Sequence, residues 1–151
     1  MLLNRKSARH IVFRIEQAEQ TTVLCVEASF EVLPATNKPS RYPIFYARWQ
    51  PGGWEAAKPA LNLDLVPTGQ VGEVRVYFRG QPLPDVTLTL RTPDEQEKPL
   101  KADGEGRVRF ESKQTGPHLL TLARHREPVS GFYQGQKYDV TSHNAALTWI
   151  Q

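Results

Sequence analysis

A single cysteine, Cys25, in 151 residues excludes any intramolecular disulfide, so cysteine usage assigns neither an oxidising nor a reducing compartment. Its neighbours Val23, Leu24 and Val26 mark it as an inert buried thiol rather than a reactive one. Long apolar runs are missing as well. Met1-Leu2-Leu3 gives way at once to Asn4-Arg5-Lys6, which leaves no secretory apolar segment there and no run able to cross a membrane. Either the protein is cytoplasmic, or the gene start omits an export signal. The chain has no Gly-x-Ser-x-Gly elbow, phosphate loop or dinucleotide fingerprint. Its carboxylates Asp94, Glu95, Glu97, Asp103 and Glu105 fall in turns and links, whereas paired-carboxylate hydrolysis needs two fixed in one cleft. A Ser-His-Asp set can be written from Ser130 or Ser142 with His143 and Asp139, but one polar loop holds most of it and nothing suggests an oxyanion hole. No catalytic residues are expected. The formal charge of +3 is concentrated partly in Arg5, Lys6, Arg9, His10 and Arg14. Without an aromatic-interleaved basic groove this reads as a solvated end, and no nucleic-acid partner is expected.

What is present is an ordinary soluble composition, 39% hydrophobic and 23% charged, enough for a core that needs no metal or disulfide staple. The clearest pattern lies in residues 80–110. Gly80, Pro82 and Pro84 end one run, and Val86, Leu88 and Leu90 then alternate with Thr87, Thr89 and Arg91, the period of a half-buried strand. Thr92-Pro93-Asp94 closes that strand, and a charged link leads to Asp103-Gly104-Glu105-Gly106, where glycine permits positive φ and Asp caps its own turn. Val108 and Phe110 resume the alternation. The two strands predict a meander unit that must bury one face against a second sheet.

Elsewhere, residues 11–15 and 22–33 read as a hairpin, although 5–20 also suits a helix on propensity alone. Residues 34–43 form a loop, and 44–49 a strand with three aromatics that Pro51-Gly52-Gly53 breaks. After a linker at 56–60, strands are predicted over 61–66, 73–79, 118–125 and 145–150, with a long polar loop from 127 to 142. Many short strands with frequent turns and no convincing helix predict an all-β protein: an immunoglobulin-like or transthyretin-like antiparallel β-sandwich over 59–151, with an additional N-terminal β segment over 1–58.

Several stretches carry a family resemblance: Leu61-Asn-Leu-Asp-Leu-Val-Pro67, the run 74–86, Ala102-Asp-Gly-Glu-Gly-Arg-Val-Arg-Phe110, His118-Leu-Leu-Thr-Leu-Ala-Arg-His125, and the closing run from Tyr138 to Trp149. Over roughly residues 60–151 they resemble a bacterial periplasmic family commonly described as nickel- or cobalt-uptake substrate-specific components, whose sandwich is similar to carboxypeptidase-regulatory and collagen-adhesin B-type domains. The resemblance implies a non-catalytic periplasmic or envelope accessory protein. Its implied ligand is nickel or cobalt, and its implied partners are membrane transport components or another envelope protein. The export signal and His-bearing mature N-terminus usual in that family are not evident here.

Two residue sets are candidate sites. If the last two long strands pair, one register puts His143 opposite Arg126, and a shift by one brings His125 and His143 face to face. Two imidazoles at that distance suit a late first-row metal, with Asp139 or Glu127 as a third ligand. The competing reading is that the histidines pin the ends of the polar loop, with Tyr133 and Tyr138 as its anchors. Separately, Tyr46, Trp49 and Trp54 beside a Gly-rich loop suit a carbohydrate or protein ligand by stacking, or else plug a small β core. A purely structural domain is the third alternative.

Overall fold

The computed structural model describes residues 10–18, 21–50 and 54–151, with side chains from Val23 onward. The basic end up to Arg9, the link at 19–20 and the break at 51–53 lie outside the described residues. Thirteen strands are described. β1 (His10–Ala18), β2 (Thr21–Ser29), β3 (Arg41–Trp49), β4 (Leu63–Pro67) and β5 (Glu73–Phe78) come first. β6 (Gln81–Pro82), β7 (Thr87–Arg91), β8 (Glu97–Lys101) and β9 (Arg107–Arg109) follow, and β10 (Pro117–Glu127), β11 (Gly131–Tyr133), β12 (Gln136–Tyr138) and β13 (Val140–Ile150) complete the series.

A seven-stranded sheet runs in the order β1-β2-β3-β13-β10-β7-β8, and a smaller sheet holds β4, β5, β6 and β9. Among the described strands every pairing is antiparallel except that of β3 with β13, which is parallel from Arg41↔Val140 to Trp49↔Thr148. Residues 10–18 are strand and not helix, paired along their length with β2. The N-terminal strands thus extend the large sheet, which with the small one forms a β-sandwich. Its core is the alternate set predicted by period two: Leu63, Leu65, Val74, Val76 and Val108 from the small sheet face Leu88, Leu90, Leu120, Leu122 and Leu147 from the large one. Each such side chain contributes about 1.5–3 kcal/mol by leaving water.

The stretch 80–110 is built differently from a simple meander. The charged link contains strand β8, which pairs with β7 from Thr87↔Lys101 to Arg91↔Glu97 and lies at the sheet edge. Only Leu100 of β8 is buried, and charges plus Pro99 suit an unpaired edge. The turn after it carries the chain between sheets, because β9 pairs with β5. Asp103 Oδ1 accepts the amides of Glu105 at 2.9 Å and Arg107 at 2.8 Å, as the turn chemistry predicted. Gly106 has φ +76°, and a Cβ there would lie 3.0 Å from the carbonyl oxygens of both Leu83 and Val76. Residues 127–142 are not a plain loop either. They hold the β11-β12 hairpin, whose Tyr133 and Tyr138 rings sit 4.5 and 5.1 Å from Tyr42 of β3, an anchoring role of the kind expected.

Candidate functional site

The His125 and His143 cluster depends on one extra residue. From Pro117↔Ile150 to Leu122↔Ala145 the β10–β13 ladder keeps one register, and at His125↔His143 it has slipped by one. The slip is a bulge: Arg124 takes φ +59°, and its amide donates to Asn144 Oδ1 at 2.9 Å. Asn144 Nδ2 donates in turn to the carbonyls of Ile44 and Ser142, both at 3.2 Å. Before the bulge His118, Leu120 and Leu122 face the core. After it His125 and Glu127 do, while Arg124 and Arg126 face out. The expected register with His143 opposite Arg126 does not occur, since Arg126 pairs with Ser142 and Leu120 with Leu147; the alternative, with His125 facing His143, holds only beyond the bulge.

On the inner side, His143 is 3% exposed. Its Nδ1 lies 2.9 Å from the Tyr46 hydroxyl, and its Nε2 lies 3.6 Å from Glu127 Oε2, an ion-pair distance rather than a hydrogen bond. Neither Nε2 nor Oε2 has a hydrogen-bond partner, although both are buried. Glu127 Oε1 accepts from Arg79 Nη2 at 2.8 Å. The two imidazole centroids are 6.3 Å apart, and the Phe78 ring meets both edgewise, at 4.8 and 5.0 Å. Burial pushes the His143 pKa down, against the pull of the Glu127 charge; His125 is shifted the same way for the same reasons. At neutral pH the imidazoles are therefore uncharged. Burial likewise pushes the Tyr46 phenol well above its usual range. The Tyr46 hydroxyl can donate to Nδ1 or accept from it, so the direction of that bond follows the tautomer of the ring.

Asp139 is engaged elsewhere. Its Oδ2 accepts from the Ser40 amide at 2.8 Å and hydroxyl at 2.7 Å, which ties the β12–β13 junction to the loop before β3 and holds its carboxyl below the usual range. Glu127 is the carboxylate beside His143, and its place two residues after His125 on one strand is the signal that finds it. His118 is fully engaged: Nδ1 donates to the Gly116 carbonyl at 3.0 Å, and Nε2 accepts from the Ser112 hydroxyl at 2.7 Å.

Tyr46, Trp49 and Trp54 are not brought together on one surface. Tyr46 is 1% exposed and faces inward, while Trp49, three residues on, takes the opposite face of β3. Trp54 packs edgewise on Phe110 and Trp149 at 5.5 and 5.2 Å. Sequence reasoning did not single out Arg48, another inward residue of that same strand. It forms a bidentate pair with Asp64, Nε–Oδ1 2.9 Å and Nη2–Oδ2 2.7 Å, with both side chains at 0% exposure. The pair bolts β3 to β4 across the two sheets. A charged residue at an apolar strand's inward position was its one sequence signal.

Among the described residues no group of three or more His, Cys, Asp or Glu side chains is spaced to hold a metal ion, and no helix is long and apolar enough to cross a membrane. Neither a protein-family model, nor a curated protein, nor a solved structure matches the chain.

Proposed function

We propose that this chain is a non-catalytic binding module with an immunoglobulin-like or transthyretin-like sandwich, and that its ligand is a late first-row divalent cation taken by His143, His125 and Glu127. One observation carries the reading. A buried imidazole nitrogen and a buried carboxylate oxygen face each other without hydrogen-bond partners, and a second neutral imidazole lies across the strand pair. Neutral imidazole and carboxylate are the donors such ions prefer. The contact of Nδ1 with Tyr46 serves as the supporting hydrogen bond, since a ring that gives Nε2 to a metal donates its other N–H, here to the phenol oxygen. Binding requires the half-buried His125 to turn toward Glu127. A role in nickel or cobalt uptake, in the periplasm beside membrane transport components, rests on the resemblance of residues 60–151 alone.

Nickel or cobalt titrated into the purified protein tests the proposal. At about a hundred times the dissociation constant a specific ligand adds about 2.7 kcal/mol of stability. Cobalt bound by nitrogen and oxygen donors also develops visible absorption. No thermal shift, or the same shift in a His125→Ala, His143→Ala variant, would sink the idea.

A further inference from the structure

The bulge has a second product on the other side of the sheet. Arg124 and Arg126 project from β10 beside Arg41 of β3 and Lys38 of the preceding loop, and the four line a cleft of about 330 Å³ with Leu33, Pro34, Ala35 and Pro39. Among the described residues no acidic side chain lines it. Elsewhere in the described side chains arginines are engaged: Arg48, Arg79, Arg91, Arg107 and Arg109 are ion-paired, and Arg75 donates to the Glu105 carbonyl at 2.7 Å. Arg41, Arg124 and Arg126 make no such side-chain contact among the described residues, and all three meet in this cleft. Folding brings their like charges together, with Arg124 in a left-handed backbone conformation that few arginines adopt.

Leu33 also lines a neighbouring apolar groove of about 510 Å³ with Ala28, Phe30, Pro43 and Phe45, and among the described residues Glu31 is its one charged lining residue. Phe30 and Phe45 meet edge to face at 5.2 Å, and Phe45 stays 45% exposed. Arg41 and Pro43 are two positions apart on β3, hence on one face, so cationic cleft and apolar groove are contiguous. We propose that this outer face binds an amphiphilic anion, a phosphate or sulfate monoester whose oxyanion sits among Lys38, Arg41, Arg124 and Arg126 and whose apolar chain or ring lies against Phe30 and Phe45. Planar guanidinium groups pair oxyanions bidentately, and the groove supplies the apolar contact that free phosphate cannot use.

The test is calorimetric titration of the intact protein with inorganic phosphate, with decyl phosphate below its micelle concentration, with neutral decyl maltoside, and with phosphatidylcholine vesicles containing phosphatidate. Decyl phosphate should bind roughly tenfold or more tightly than either inorganic phosphate or decyl maltoside. Replacing Lys38 and Arg126 together by Gln should weaken it by roughly tenfold or more. Both residues are exposed, so an unchanged melting curve verifies the fold, and Arg124→Asn, which tolerates the same backbone conformation, gives an independent charge deletion. Undetectable binding, equal binding of the neutral or the inorganic probe, undiminished binding by the charge-deleted variants, or binding confined to vesicles overturns the proposal.

Discussion

Replacing Asp64 by Ala should be among the most damaging single changes available in this sandwich. Asp64 accepts four donors: Nε and Nη2 of Arg48 at 2.9 and 2.7 Å, and the amides of Ala60 and Leu61 at 2.9 and 3.3 Å. Removing the carboxylate strands a cation in a site where Arg48 has 0% side-chain exposure, a loss of about 3–5 kcal/mol. The two backbone donors add about 1 kcal/mol each. The total of about 5 kcal/mol or more approaches the whole stability of an ordinary domain, about 5–15 kcal/mol. Urea unfolding at neutral pH, followed by tryptophan fluorescence and circular dichroism, should show the midpoint reduced by a third or more, or no folded protein. The paired change Arg48→Met, Asp64→Leu should recover most of the first term, because it leaves no buried charge, and should keep the deficit of the two amides. A loss below about 1 kcal/mol for Asp64→Ala, the range of solvent-exposed pairs, would refute the reasoning.

Gly106→Val should lose about 1–3 kcal/mol in backbone strain alone, with further cost from the two carbonyl oxygens a Cβ would meet; chemical denaturation measures it, and ligand binding by the folded fraction should not change. Stability should also fall in mild acid. Both His125 and His143 have folded pKa values below the ordinary 6.5, so their contribution is fully present above about pH 6.5 and is lost as pH falls through the folded values. Melting temperatures between pH 8 and 5 should therefore decline toward acid, and His143→Phe should flatten the decline. An unchanged slope in that variant would show that the buried ring is not a source of it.

The alternating strands were legible because each buries one face: Leu88 with Leu90, and Val74 with Val76, announce themselves by period two. β8 was hidden because an edge strand with one buried residue carries the charges of a link. The β11-β12 hairpin was hidden by length, since three-residue strands are too short to show a period. The facing histidines were visible only as one of two registers. The bulge that produces them is made by an arginine at positive φ, where no glycine marked the place. Arg48 and Asp64 lie in separate strands, and nothing local in the chain announces that two charges will meet in the dry interior.

The parallel pairing of β3 with β13 has a kinetic consequence. The hydrogen bond from Asn144 to the Ile44 carbonyl spans 100 positions of sequence, and the whole β3–β13 ladder shares that long reach. The β1-β2-β3 meander can form early, yet β3 waits with one edge unsatisfied until β13 has been synthesised and β10 has fixed its direction. Closing so long a loop before any contact compensates for it is slow, and an open edge in the interval is a template for another chain. Refolding should accordingly be slow and concentration-sensitive in yield, and nascent chains halted before β13 should be the species most in need of a chaperone.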